Sequence, residues 1–129
     1  MDKEFIPYEQ ALELRELDFN EECLALYYVP TKGLHYGPTK ELITQYTEDV
    51  RIVAPTFSQA FRWFRENFSL DVTFRKMEYG LESNFTGYYF SIYRGNELID
   101  IHGADKKCKL YEEAELKCLK KLIEIVKQK

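Results

Sequence analysis

Three stretches of this chain open with an aromatic residue, two polar residues and an alanine, then continue as an apolar stripe of helical spacing. Tyr8-Glu9-Gln10-Ala11 leads to Leu14 and Leu17. Phe57-Ser58-Gln59-Ala60 leads to Phe61, Phe64 and Phe68, and Tyr111-Glu112-Glu113-Ala114 leads to Cys118, Leu122 and Ile125. Side chains three and four residues apart share one side of a helix, and such a side must be buried against something. Between these helices lie β-branched and tyrosine-rich runs. The pattern predicts an α+β fold, an antiparallel sheet of three or more strands covered by helices, with the C-terminal half ordered α-β-β-β-α.

The first helix is expected from Pro7, which suits a first turn because its missing N–H is not needed there, to Leu17 or Asp18. Cys23 to Val29 reads as a strand, followed by turn chemistry at Thr31-Lys32-Gly33 and Tyr36-Gly37-Pro38. Pro38 to Asp49 carries no dominant period and is assigned neither helix nor strand. Val50 to Val53 is a short extended run. Thr56 is placed to cap the second helix, Phe57 to Phe68, whose Phe57, Ala60, Phe61, Trp63, Phe64 and Phe68 share one arc while Arg62, Arg65 and Glu66 face solvent. Asp71 to Met77 alternates as a half-buried strand, and Tyr79 to Thr86 reads as a loop.

Gly95-Asn96 suits a two-residue primed turn joining Tyr88–Arg94 to Glu97–His102. Uninterrupted pairing from that turn sets Arg94 opposite Glu97, Tyr93 opposite Leu98, Ile92 opposite Ile99, Phe90 opposite Ile101 and Tyr89 opposite His102. Phe90, Ile92, Ile99 and Ile101 then form a core face, and Tyr89, Ser91, Tyr93, Asp100 and His102 a polar aromatic face. In the last helix, glutamates lie near the positive end and lysines towards the negative end, as the macrodipole favours. Its apolar residues cover more than half the circumference. A second contact beyond the sheet is therefore expected, either another helix (Leu14 and Leu17 of the first) or a second copy of the chain. A monomer is favoured over a homodimer.

At 129 residues and 45% apolar content, residues 1–129 read as a single domain with a substantial core. No apolar run approaches the roughly 18 residues that span a bilayer, and the N-terminal Met1-Asp2-Lys3-Glu4 lacks the layout of a secretion signal. A cytoplasmic protein with no membrane contact is expected, and the odd set Cys23, Cys108 and Cys118 agrees with that. Cys118 falls on the apolar stripe of its helix and reads as a small buried hydrophobe. Residues 1–50 carry 4 basic and 11 acidic side chains, and residues 51–129 carry 14 and 11. The front half is thus acidic and the back half mildly basic.

No residue pattern specifies a reaction. His35 and His102 lack carboxylate or cysteine partners at ligand spacing, so no metal site is expected. The glycines are isolated, without a phosphate loop, and no nucleophile stands with a base. His102, Asp100 and Tyr89 are the sole candidates for acid–base work, and a histidine at a strand end is more often a packing or surface residue. The chain reads as no enzyme, with no cofactor, and as a binding module whose contact surface comprises Arg62, Arg65, Tyr89, Tyr93 and His102. Arginine and tyrosine suit interfaces because they join large contact area to hydrogen bonding.

From Thr56 onward, the helix-strand-strand-strand-helix order with Lys106, Lys107 and Lys109 before the last helix resembles the double-stranded-RNA-binding domain. That resemblance implies a nucleic-acid-binding module as the alternative reading. Glu112, Glu113 and Glu115 depart from the family's pattern, standing where it places basic contacts to phosphate. Ala54 to Glu66, Tyr111 to Val126 and the opening Phe5-Ile6-Pro7-Tyr8-Glu9-Gln10-Ala11 are similar to stretches of small proteins, without assigned activity, of Bacteroides and their phages or prophages. This second resemblance implies a cytoplasmic accessory protein of a mobile element, and it carries over no catalytic residue. Taken with the lack of a reaction pattern, the main reading is non-catalytic binding of a protein partner.

Overall fold

A computed structural model of the chain describes residues 2–78, 86–102 and 110–128. Of the loop expected at Tyr79 to Thr86, residues 79–85 lie outside the described residues, as do Lys106, Lys107, Lys109 and Cys108, and Thr86 belongs to a strand instead. The fold is α+β, and among the described residues the strands form two three-stranded antiparallel sheets. The chain divides into two compact units, Met1–Ala60 and Phe61–Lys129, with the boundary inside one helix.

The first unit opens with α1 (Tyr8–Glu16), preceded by Pro7 in extended conformation. The helix stops at Leu17, and Asp18 takes the left-handed backbone conformation that commonly closes helices. β1 (Ala25–Tyr28) is the middle strand of the sheet, between β2 (Gly33–Tyr36) and β3 (Arg51–Val53). As a middle strand it is paired along both edges, and the burial of the consecutive Ala25, Leu26 and Tyr27, which point alternately to the two faces, shows that both faces are covered. α1 packs on β3 through its buried Ala11 and Leu14. The Tyr27 hydroxyl donates to the Ile6 carbonyl at 2.7 Å, which fixes the segment leading into α1.

Two features here differ from the sequence expectation. The stretch between the two expected turns is itself a strand, β2, pairing Tyr36 with Ala25 and Gly33 with Tyr28. Its turn is tightened by Lys32 at positive φ, whose N–H reaches the Tyr28 carbonyl at 2.7 Å. The unassigned segment after Pro38 holds α2 (Thr39–Leu42) and a 3₁₀ turn at Glu48–Val50.

α3 (Phe57–Phe68) begins as expected: the Thr56 hydroxyl accepts from the Gln59 N–H at 3.1 Å. In the second unit its Trp63 and Phe64 are buried, with ring centroids 5.0 Å apart, and Arg62, Arg65 and Glu66 are exposed. β4 (Leu70–Glu78), β5 (Thr86–Arg94) and β6 (Glu97–His102) follow in sheet order β4-β5-β6, and α4 (Tyr111–Lys127) ends the unit. α4 packs on β5 and β4. Phe74 touches the rings of both Phe61 on α3, at 5.4 Å, and Tyr111 on α4, at 5.3 Å, so both helices cover one face of this sheet.

The hairpin register is corrected. Arg94 pairs with Glu97 and Tyr93 with Leu98, as the Gly95-Asn96 turn requires, but Ile92 then pairs with Asp100, Ser91 with Ile101 and Phe90 with His102. Ile99 is an extra residue in β6, a bulge, and every position beyond it shifts by one. The core face keeps Phe90 and Ile92, both 0% exposed, and loses Ile99 (36%) and Ile101 (50%). Asp100 moves to the helix-covered face, where its carboxylate lies 3.9 Å from Lys121 of α4.

One titration follows from the packing of α4. Burial of the Glu115 carboxyl, with Glu112 nearby, raises its pKa above the usual carboxylate value. The folded chain therefore holds this proton more tightly than the unfolded chain. The penalty on folding is absent below the unfolded pKa of about 4.3 and complete above the raised folded value. Glu115→Gln is expected to raise the melting temperature at pH 7 and to leave it unchanged at about pH 3. Circular dichroism melts at the two pH values check this.

Candidate functional site

The residues expected to form a contact surface do not form one patch. Arg62 and Arg65 are exposed on α3, which covers the Phe74 face of the second sheet, and Arg62 pairs with Glu66 at 3.6 Å. Tyr89 and Tyr93 alternate with Phe90 and Ile92 along β5, so they point to the opposite face. The His102 position pairs with Phe90 rather than Tyr89, which removes it from the tyrosine face by one step of register. With it goes the expected grouping of His102, Asp100 and Tyr89.

The sheet face opposite the helices is nevertheless distinctive. Asp71, Thr73 and Arg75 of β4 are exposed on one flank. Tyr89 and Tyr93 are half-buried on the middle strand, with the small Ser91 buried between them in sequence. On the other flank, Leu98 pairs with Tyr93 and Ile101 with Ser91, so both share the tyrosine face, and they are 47% and 50% exposed. The bulge at Ile99 produces this arrangement. In an unbroken strand Leu98 and Ile101, three residues apart, would point to opposite faces. Among the described residues β6 is an edge strand, with β5 as its one partner.

Sequence reasoning found Tyr89 and Tyr93 but missed Leu98 and Ile101. The one local trace of the bulge is the adjacent pair Leu98-Ile99, which interrupts the apolar–polar alternation that Ile99 to His102 otherwise keeps. The surface offers apolar contact, two phenolic hydroxyls and a flanking pair of opposite charges (Asp71 and Arg75).

Other chemistry-bearing groups are muted. Burial, reinforced by Glu21, pushes the Cys23 thiol up to about 12. Burial likewise raises Cys118, with Glu115 and Asp100 adding to it. Neither is a thiolate at neutral pH, and it is the thiolate that attacks electrophiles and binds metals. Among the described residues no group of three or more His, Cys, Asp and Glu side chains is placed to hold a metal ion. Among the same residues no helix is long and apolar enough to cross a membrane. Comparison of the chain with protein families, with curated proteins and with solved structures finds no match.

Proposed function

We propose that this chain is a non-catalytic accessory protein that binds a protein partner through the face of its second sheet opposite α3 and α4. The observation that carries the reading is the exposure of Leu98 and Ile101 beside Tyr89 and Tyr93. Two large aliphatic side chains in water on one sheet face, next to amphipathic aromatics, have the composition of an interface centre. The partner surface this suits is apolar at its centre, with hydrogen-bonding groups for the tyrosines and a charged rim to meet Asp71 and Arg75. The resemblance to small Bacteroides phage proteins supports the accessory character of the role.

The test uses Leu98→Lys and Ile101→Lys singly and together. Both sites are exposed, so each substitution is expected to change stability by no more than about 1 kcal/mol. A partner retained by the wild-type chain should be lost, with about tenfold weaker binding per substitution at a central contact, while Arg62→Ala on the opposite side of the sheet leaves binding unchanged. A partner whose binding survives the double substitution overturns the reading. Sedimentation across a concentration series separates a foreign partner from a second copy.

The nucleic-acid alternative rests on the α3-β4-β5-β6-α4 order. Against it, Glu112 and Glu113 are exposed in the first turn of α4 and would repel phosphate. A salt series decides: duplex binding that falls steeply with salt and ignores Leu98 and Ile101 would replace the protein-binding reading.

A further inference from the structure

A cleft of about 420 Å³ opens on the first unit, within the usual size range of small-ligand sites. Its floor is apolar, with Phe19 and Ile52 buried and Val53 half-buried. β3 supplies the floor, the end of α1 one wall and α2 the other. The α2 wall is fastened by Thr39, a buried residue whose hydroxyl accepts from the Cys23 N–H at 2.9 Å.

Two guanidiniums line this cleft. Arg51, half-buried, donates from Nη1 to the Tyr46 carbonyl at 2.6 Å. Arg15 donates from Nη1 to the carbonyl of Arg51 itself at 3.4 Å. Each is thus oriented by a main-chain acceptor and keeps further donors of its planar fork. Among the described residues, neither forms an ion pair. The Glu21 carboxylate, which also lines the cleft, accepts from the Gln59 side-chain amide at 3.2 Å, and Glu22 and Glu48 are exposed at the rim.

We propose that this cleft binds a carboxylate carrying a compact apolar body. Arg15 and Arg51 receive the carboxylate, because a guanidinium fork matches its two oxygens. Phe19, Ile52 and Val53 cover the body, whose transfer out of water supplies affinity in proportion to the apolar area buried. A free inorganic anion would leave this floor uncovered, which is why an amphipathic acid suits the site better than phosphate. The carboxylate belongs either to a free organic acid or to the last residue of a peptide.

Amide-resolved NMR titration of the full chain tests this with four probes. They are 3-phenylpropionate, 3-phenylpropionamide, and a short glycine peptide ending in phenylalanine with a free or an amidated terminus. Saturable shifts at Arg51, Ile52 and Val53 are expected with the carboxylates, and about tenfold weaker binding with each amide, the scale of one lost charge-assisted contact. Arg15→Gln and Arg51→Gln should each weaken carboxylate binding about tenfold. Arg15 is exposed, so its variant tests the site even where loss of the Arg51 bond to Tyr46 disturbs folding. Tighter binding of the free peptide than of the small acid assigns the site to a chain terminus, and the reverse to a small acid. No saturable shift at about 10 mM of either carboxylate, equal binding of the amides, or unchanged binding in the Arg15 variant overturns the proposal.

Discussion

Ile92→Ala is expected to destabilise the protein by about 2–5 kcal/mol, and Ile99→Ala by less than about 1 kcal/mol. Uninterrupted pairing from the Gly95-Asn96 turn would make these two isoleucines cross-strand neighbours on the core face, so their costs would be similar. The bulge separates them. Ile92 is fully buried, and its truncation leaves a cavity that the surrounding side chains cannot close completely. Ile99 is 36% exposed at the bulge of an edge strand, so its truncation removes less buried area than that of Ile92 and leaves space that water can enter rather than a closed cavity. Urea melts of the two variants read the difference directly as a shift in midpoint at constant slope. Equal costs, or the larger cost at Ile99, would place β6 in the unbulged register and would return Leu98 and Ile101 to opposite faces. The proposed contact surface would then lose its apolar half, so this measurement bears on function as well as on fold.

The parts of the fold legible in the sequence are those governed by local chemistry. α3 is announced by the Thr56 cap and by the arc of Phe57, Ala60, Trp63 and Phe64. α4 is announced by its charge gradient and by the row Ala114, Cys118 and Leu122. The turn at Gly95 follows from a residue able to hold positive φ. What was not legible depends on partners distant in sequence. β2 is four residues long and begins with glycine, so only its pairing with β1 makes it a strand. The bulge leaves only a faint trace, the adjacent apolar pair Leu98-Ile99, beside a run from Ile99 to His102 whose alternation favours the unbulged register. The two arginines of α3 and the two tyrosines of β5 were legible as exposed or half-exposed residues. That a sheet lies between them follows from packing, which no spacing reveals. The cleft of the first unit is assembled from residues between Arg15 and Val53, and no short motif spans that interval.

The larger effect is expected at Ile123. The apolar residues of α4 occupy two adjacent rows, Ala114, Cys118 and Leu122 in one and Leu119 and Ile123 in the other, and all five are buried in a single copy of the chain. A helix resting on a sheet by one row would leave the second for another subunit, whereas here one copy covers both. Ile123→Glu therefore removes about 1.5–3 kcal/mol of apolar burial and adds several kcal/mol for an unpaired carboxylate taken out of water. Together these rival a total folding stability of about 5–15 kcal/mol. The variant is expected to show no cooperative melt and to elute as unfolded or aggregated chain. Leu116→Glu, at a half-buried position on the same helix, should remain folded with a lowered midpoint. The contrary result is specific. If Ile123→Glu yields a folded monomer of half the wild-type mass by light scattering, the second row is covered by a partner subunit, and the arrangement of α4 within one chain is wrong.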